Sequence, residues 1–214
     1  VLVDEYDISG GGIITELVHD EQEGLREEAR QREYAWLTGD VRSEDRALQY
    51  GHRAAIVLFT GSAQTGKTFL ARRVEALLVA DSRHAYLLEG ENLLQGLDAD
   101  LSAADPSFAS ERVRRYGEVA RLLIDTGLIV VSTSKTFGIN YHRMAEMIRT
   151  LVQPAPVIAV HMSRAGEEPP PNTDLHFAGP QDFDAAARQI LEELKKRGVL
   201  IQPSGTKSTI QYSI

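Results

Sequence analysis

Apolar runs of strand length alternate with amphipathic segments through most of the chain. The runs are rich in aliphatic and β-branched residues, as buried strands are, and they lie at 53–60, 84–90, 128–134 and 155–162. Between and after them, apolar positions recur every three or four residues, the pattern of a helix that packs one face on a sheet. These helical segments are 67–79, 110–127, 140–152 and 182–198.

This alternation predicts an α/β fold with a mainly parallel sheet flanked by helices, because parallel strands are joined by crossover helices. A further short strand is expected at 174–177, and three prolines within 167–172 exclude a sheet ladder there. Ligands of such sheets bind beyond the carboxyl ends of the strands, so the chemistry is expected at that edge.

Composition divides the chain into four parts. Residues 1–18 predict two short strands around the three glycines at 10–12, too few to be stable alone, so they are expected to finish a sheet that begins upstream. Residues 19–35 are mostly charged and predict a solvated helix or linker. Residues 36–201 carry the α/β pattern, and residues 202–214 form a polar tail. Since the chain starts without Met, we expect a fragment or a processed product.

Charge and composition exclude several classes of protein. The net charge is −8, with 31 acidic against 23 basic residues, and nucleic-acid binding needs a basic surface. The absence of cysteine excludes disulfides, thiolate metal sites and a cysteine nucleophile. No apolar run is long enough to span a membrane and no signal peptide is recognisable, so we predict a cytoplasmic protein.

A phosphate-binding motif follows the first apolar run. Its glycines let backbone N–H groups surround an anion at the positive end of the next helix. Lys67 is predicted to neutralise β- and γ-phosphate oxygens, and Thr68 to offer its hydroxyl to Mg²⁺. The sequence therefore predicts a P-loop NTPase fold that binds a nucleotide. The eight residues that fit G-x-x-x-x-G-K-[ST] are Gly61, Ser62, Ala63, Gln64, Thr65, Gly66, Lys67 and Thr68.

Two carboxylates, Glu89 and Glu91, follow the second strand at the same predicted edge. They can hold Mg²⁺, for which Glu89 is the candidate, or accept the proton of a phosphate acceptor, for which Glu91 is preferred and Glu89 is the alternative. The alternative is a surface pair near a helix start, where the helix dipole favours acidic residues.

Lys135 and Arg143 follow the third strand on the ligand edge, where Lys135 is predicted to contact an anionic acceptor. The histidines show no metal-ligand spacing and are expected to be surface or satisfied core residues. The five considered are His52, His84, His142, His161 and His176.

Four aromatic residues are candidates for packing or for stacking on a base. Trp36 and Tyr34 are expected to pack against the α/β domain rather than to stack on a nucleotide. Phe108 and Phe137 either sandwich an adenine ring or close loops.

Three segments resemble the adenylylsulfate (APS) kinase family, in the family's order and over about residues 36–160. Residues 39–78 resemble its opening through the phosphate loop, and residues 86–101 resemble LDGDNxRxGLxxDL. Residues 114–131, RRYGEVARLLIDTGLIVV, resemble RRxGEVAxLxxxAGLIVI. The resemblance implies phosphorylation of APS by ATP with Mg²⁺, giving ADP and 3′-phosphoadenylylsulfate (PAPS).

The front of the chain, VLVDEYDISGGGIIT, resembles the last strands of the elongation-factor-like GTPase subunit of sulfate adenylyltransferase. This implies the remnant of a β-barrel domain, ahead of a kinase domain that ends a bifunctional sulfate adenylyltransferase subunit 1/APS kinase. The implied partners are the small subunit of sulfate adenylyltransferase and a second copy of the chain.

By this resemblance, Glu89 and Glu91 fall on the two aspartates of the family, and with Lys67 they are implied to be catalytic. Asn92 and Arg115 fall on residues implied to contact the substrate, and Arg112 or Arg114 can substitute for a displaced arginine.

The acceptor half of the pattern departs from the family. Leu94 replaces an arginine, residues 102–115 diverge, and the late lid is missing, with residues 164–172 in its place. Three functions are therefore compatible with the sequence: an APS kinase with altered contacts, a kinase for another small acceptor, or a catalytically degenerate nucleotide-binding module that regulates or scaffolds sulfate adenylyltransferase.

Overall fold

The computed structural model describes residues 2–4, 7–10, 36–37, 39–133, 141–179 and 182–201. The predicted linker at 19–35 and tail at 202–214 lie outside the described residues. So do Tyr34, Lys135 and Phe137.

The described elements follow the predicted alternation. The strands are β1 (Leu2–Asp4), β2 (Asp7–Gly10), β3 (Ala55–Gly61), β4 (Ala85–Glu89), β5 (Ile129–Thr133), β6 (Val157–Ser163) and β7 (Leu175–Ala178). The helices are α1 (Ser43–Tyr50), α2 (Lys67–Ala80), α3 (Phe108–Asp125), α4 (Tyr141–Leu151) and α5 (Phe183–Lys196), with a 3₁₀ helix at Gly90–Leu93. None of these helices is long and apolar enough to cross a membrane.

The first two strands form a small antiparallel pair, in which Val3 lies opposite Ile8. They pair across residues 5–6, so the turn expected at the glycines 10–12 is not the one that joins them. Both strands lie before Gly11, so the described pair does not enclose the glycines. The assignment of this pair to a barrel domain stays a prediction.

The main sheet has five strands in the order β4-β5-β3-β6-β7, and all four pairings are parallel. This confirms the predicted α/β fold. β3 lies at the centre, between β5 and β6. The phosphate motif follows β3 directly, so the loop opens at the middle of the carboxyl edge, which is where ligands of such sheets bind.

Alternating residues of the central strand enter two separate cores. Val57 and Phe59 pack with residues of α2 and α5 on one face, including Leu70 and Ile190. On the other face, β3 contributes to a core that includes residues of α3 and α4. Period-2 alternation in a strand covered on both faces produces this arrangement. The second core contains Ile56, Leu58, Val113, Tyr116, Met144 and Ile148.

The connection from β6 to β7 spans residues 164–174 and contains no helix. Its prolines keep it out of the sheet, as the sequence predicted. The short strand that follows, β7, confirms the strand expected at 174–177 within one residue.

Candidate functional site

The phosphate loop joins β3 to α2, and its glycines are required by close contacts. A Cβ on Gly61 would lie 1.8 Å from the Met162 carbonyl oxygen, and the φ of Gly61 is +124°. Gly66 has φ +88° and caps the N-terminus of α2. No residue with a side chain fits these two positions without strain. Their N–H groups therefore lie at the positive end of α2, as an anion site requires.

Lys67 is the first residue of α2 and is only 7% exposed. Its Nζ donates a 2.8 Å hydrogen bond to the Gly61 carbonyl oxygen and a second to the Ser62 carbonyl oxygen. Burial lowers the pKa of Lys67, while the negative charge of Glu91 acts in the opposite direction. The ammonium thus lies inside the loop, bonded to its carbonyl oxygens.

The remaining loop residues divide between support and exposure. The Thr65 hydroxyl donates a 2.9 Å hydrogen bond to the Ser62 carbonyl oxygen, which stabilises the loop from within. Ala63 and Gln64 are exposed at its tip, whereas Thr68 is half-buried on the first turn of α2. These positions agree with the geometry that the motif predicts.

The two predicted carboxylates occupy the expected edge but face different partners. Glu89 ends β4, and its Oε1 accepts a 3.1 Å hydrogen bond from Arg72 Nη2 on α2. Glu91 lies in the 3₁₀ helix that follows and interacts electrostatically with Lys67. Of the pair, Glu91 is the carboxylate whose charge acts on the pKa of Lys67.

Tyr116 is a site residue that sequence reasoning missed. It is fully buried on α3, and its hydroxyl donates a 2.7 Å hydrogen bond to the Leu88 carbonyl oxygen. The same hydroxyl lies 2.6 Å from Ser132 Oγ on β5. Burial raises the pKa of Tyr116, so the hydroxyl is neutral and links the ends of β4 and β5. Its position on the buried stripe of α3, with Val113 and Ala120, was the available signal.

The fold also brings together histidines that are scattered in the sequence. His161 Nδ1 lies 2.9 Å from Thr60 Oγ1, and both are buried beside the loop. Its ring centroid is 6.0 Å from that of His176. Burial lowers the pKa of His161, with the charges of His176 and Lys67 acting in the same direction. The lowered pKa favours a neutral imidazole at His161.

His52 is a satisfied core histidine, as expected. It is buried, its Nε2 accepts a 3.0 Å hydrogen bond from the His84 N–H, and its Nδ1 lies 3.2 Å from the Arg53 carbonyl oxygen. Within the described residues, no group of three or more histidine and acidic side chains is arranged to hold a metal ion.

Arg112 is buried and paired. Its Nε lies 3.4 Å from Asp98 Oδ2, and the two side chains are 8% and 1% exposed. The guanidinium also stands 5.5 Å from the ring centroid of Phe108. Phe108 therefore closes against Arg112, which favours the loop-closing alternative for this aromatic over the adenine sandwich.

Arg115 is likewise engaged with the loop that precedes α3. Its Nη2 donates a 2.9 Å hydrogen bond to Asp100 Oδ2, and its Nε donates a 2.8 Å bond to Glu111. With hydrogen bonds from Arg114 and Arg115, the pKa of Glu111 falls to about 2. Asn92 is exposed next to Glu91. The structure thus gathers these residues on one side of the edge, but it directs Arg112 and Arg115 to acidic side chains.

Trp36 packs against the α/β domain, which confirms the preferred alternative. The Arg121 guanidinium of α3 lies 4.7 Å from its ring centroid, and Arg121 also donates a 3.3 Å hydrogen bond to the Leu151 carbonyl oxygen at the end of α4.

Comparison with known proteins gives consistent similarities. The family model described as adenylylsulphate kinase matches residues 53–169. The adenylyl-sulfate kinase of Yersinia pestis is 30% identical over 195 residues, covering 77% of this chain and 89% of that protein. The adenylyl-sulfate kinase of Shewanella amazonensis is 38% identical over 128 residues, covering 60% of this chain and 63% of that protein.

Solved structures share the architecture. A cysteine-to-alanine mutant of the Mycobacterium tuberculosis APS kinase is 30% identical, with a TM-score of 0.59, over 67% of this chain and 99% of that one. The complex of that enzyme with AMPPNP and APS gives a TM-score of 0.57 at 24% identity, over the same shares of the two chains, which is a likeness of fold.

Proposed function

The chain belongs to the adenylylsulphate kinase family, and we propose that it transfers the γ-phosphoryl group of ATP to the 3′-hydroxyl of adenylylsulfate, giving ADP and PAPS. The observation that supports this most is the buried Lys67 within the glycine loop, with its ammonium bonded to the Gly61 and Ser62 carbonyl oxygens and with the charge of Glu91 acting on its pKa. Phosphoryl transfer depends mainly on positioning and on neutralising charge, and these two groups supply both at one edge of the sheet.

The residues present fit a nucleoside triphosphate and Mg²⁺. The strained glycines expose backbone N–H groups at the start of α2, where α- and β-phosphates are held in P-loop proteins. The hydroxyl of Thr68 and the carboxylate of Glu89 are hard oxygen donors, the kind that Mg²⁺ prefers. When bound, the ion would neutralise charge that develops on the phosphate oxygens.

In the proposed reaction, Lys67 binds β- and γ-phosphate oxygens, which compete with the loop carbonyls for its ammonium. The 3′-oxygen of the acceptor attacks the γ-phosphorus, the bond to the β–γ bridging oxygen breaks, and Glu91 accepts the proton of the hydroxyl. Arg72 holds Glu89 by the ion pair described above, and Glu91, whose charge acts on Lys67, is the proposed group for proton transfer. Tyr116 orients this pair indirectly, since it fixes the carbonyl of Leu88, the residue before Glu89.

On the acceptor side, Asn92, Arg112, Arg115 and Lys135 remain the proposed substrate contacts. Arg112 and Arg115 carry positive charge toward this side of the edge, but each is committed to an aspartate. We infer that they shape the acceptor side by bracing the loop before α3, and that direct contact with the sulfate requires exchange of those partners.

A second function is favoured by the same ion pairs and by the short connection from β6 to β7. With the acceptor arginines engaged and no helix in residues 164–174, the domain can bind ATP without transferring phosphate. It would then regulate or scaffold sulfate adenylyltransferase, and a kinase for another small acceptor is the third alternative.

In either case we propose that the domain acts in the cytoplasm, as the C-terminal part of a bifunctional sulfate adenylyltransferase subunit 1/APS kinase. The antiparallel pair β1–β2 would be the end of the preceding barrel domain, the small subunit of sulfate adenylyltransferase would be the partner, and the kinase domain could form a homodimer.

The deciding experiment follows phosphate from γ-labelled ATP in the presence of Mg²⁺ and APS. Labelled PAPS is the expected product. Absence of labelled PAPS, with ATP binding in the micromolar range by calorimetry, would overturn the kinase proposal. It would support the catalytically degenerate nucleotide-binding module. Label on an added acceptor other than APS would support the third alternative.

A further inference from the structure

An exposed aromatic pair borders the phosphate loop. Phe69 lies two residues after Lys67, on the first turn of α2, and is 61% exposed. Its ring centroid is 4.8 Å from that of Phe183, the first residue of α5, and the planes meet edge to face at 61°. Phe69 therefore places a large apolar face in solvent, beside a second aromatic ring.

The second ring is held against the loop itself. A Cβ on Gly66 would lie 2.7 Å from Cζ of Phe183, so the ring of Phe183 covers the glycine that caps α2. Phe183 is also partly buried against the core that contains Leu70 and Met162. The core and the glycine together fix the position of this ring.

The location matches the point where a nucleoside leaves a phosphate loop. The loop amides hold the α- and β-phosphates at the start of the helix, and the lysine reaches the β- and γ-phosphates. The ribose and base continue from the α-phosphate, so they emerge at the first turn of α2. The exposed face of Phe69 stands on that turn.

We propose that Phe69, supported by Phe183, is the platform on which the purine base of the bound nucleotide stacks. This inference rests on the proposed nucleotide site but not on phosphoryl transfer. A flat base is the complement of an exposed aromatic face, and such stacks contribute substantially to binding because every base has a π-face. Phe69 is then a specificity-determining residue. It increases the affinity for a ligand that carries a base and does not change the affinity for a phosphate chain without one.

The test compares two ligands that share phosphates and differ in the base. Calorimetric affinities for ATP and for inorganic tripolyphosphate, both with Mg²⁺, are measured for the wild type and for Phe69→Ala. The expected result is an ATP affinity that falls roughly 5- to 100-fold, the range for loss of one base–aromatic stack, while the tripolyphosphate affinity stays the same. Leu122→Ala, at a 58% exposed apolar residue of α3, is the matched control and should change neither value.

An ATP affinity of Phe69→Ala equal to that of the wild type overturns the proposal. So does an equal loss of affinity for ATP and tripolyphosphate, which would indicate a damaged phosphate loop. Phe69→Trp gives a second readout: the added indole should change fluorescence with ATP but not with tripolyphosphate, after subtraction of the wild-type signal from Trp36. If Phe69→Ala selectively weakens ATP binding but the wild type forms no PAPS, the stacking proposal is supported and the kinase proposal is contradicted. If the wild type forms PAPS but Phe69→Ala binds ATP as tightly as the wild type, the kinase proposal is supported and the stacking proposal is contradicted.

Discussion

Ser62 and Glu167 are 105 positions apart in the chain, yet the Ser62 hydroxyl donates a 2.7 Å hydrogen bond to Glu167 Oε2. The same oxygen accepts the Arg164 N–H at 3.1 Å, and the hydroxyl of Ser163 donates to the Glu167 carbonyl oxygen at 3.2 Å. The short β6–β7 connection is therefore fastened to the phosphate loop through one carboxylate.

This fastening is expected to depend on pH. The hydrogen bond from Ser62 holds the pKa of Glu167 below its ordinary value. A depressed folded-state pKa stabilises the protein above the unfolded-state value, about 4.3, and the effect is lost as pH falls through the folded-state value. The loss of stability in Glu167→Ala, measured by urea unfolding, should be constant from about pH 8 to about pH 5.5 and shrink below about pH 4.

Glu168→Ala, at the exposed neighbouring carboxylate, serves as the control and should show a smaller loss at pH 7. A loss for Glu167→Ala that is unchanged at about pH 3.5 would contradict the fastening by an ionised carboxylate.

Lys67→Ala is expected to remove nucleotide binding and leave the fold intact. The ammonium contacts two loop carbonyls rather than the hydrophobic core, so its loss affects the phosphates most. The ATP affinity should fall at least about 100-fold, within the range for a buried charge pair that loses one member. Calorimetry and circular dichroism provide the measurements. Lys195→Ala, which removes a surface ion pair with Glu192, should bind ATP normally; undiminished affinity in Lys67→Ala would count against the site.

Glu91→Gln and Glu89→Gln should separate two roles. The glutamine of Glu91→Gln cannot accept the proton of the 3′-hydroxyl. The kcat at saturating Mg²⁺ is therefore expected to fall about 100-fold or more. Glu89→Gln should instead raise the Mg²⁺ concentration needed for half-maximal rate. Steady-state PAPS formation at several Mg²⁺ concentrations distinguishes these effects, and Arg72→Ala, which frees Glu89, is the companion variant. If Glu89→Gln lowers kcat and Glu91→Gln raises the Mg²⁺ requirement, Glu89 is the proton acceptor and Glu91 the Mg²⁺ ligand.

Asp98→Ala is expected to destabilise the protein strongly because it leaves Arg112 buried without its carboxylate. Removing one member of a buried ion pair costs about 3–5 kcal/mol, which urea unfolding can measure. The control is Glu118→Ala, whose partner Arg114 is partly exposed and whose pair is worth less than about 1 kcal/mol. A loss for Asp98→Ala as small as that of the control would show that Arg112 does not depend on Asp98.

The sequence predicted those parts of the molecule that depend on local pattern. Strand and helix alternation indicated the parallel sheet, and the spacing from Gly61 to Thr68 placed the loop between a strand and a helix. The prediction that Glu91 and Lys67 act at one edge rests on a general property of parallel sheets, whose strand ends share that edge, and the charge of Glu91 does act on the pKa of Lys67.

The features that were missed depend on contacts between distant residues. Thr60 meets His161 across 101 positions because the β3–β6 register aligns them, and no local pattern encodes a register. Likewise, the family resemblance offered Arg112 as a substrate contact, yet a buried arginine pairs with the carboxylate that the fold supplies, and here Asp98 lies 14 positions before it. The arginine type was visible in the sequence, whereas its partner was set by the packing of the loop onto α3.

The division of β3 between two cores has an evolutionary consequence. The phosphate loop and its aromatic neighbours are anchored in the layer with Phe59, Leu70 and Met162. Tyr116 belongs to the opposite layer, with Leu58 and Val113, and the helix that carries Tyr116 also carries Arg112 and Arg115. Substitutions in one layer need not disturb the other. Acceptor specificity can therefore change during evolution while nucleotide binding is retained.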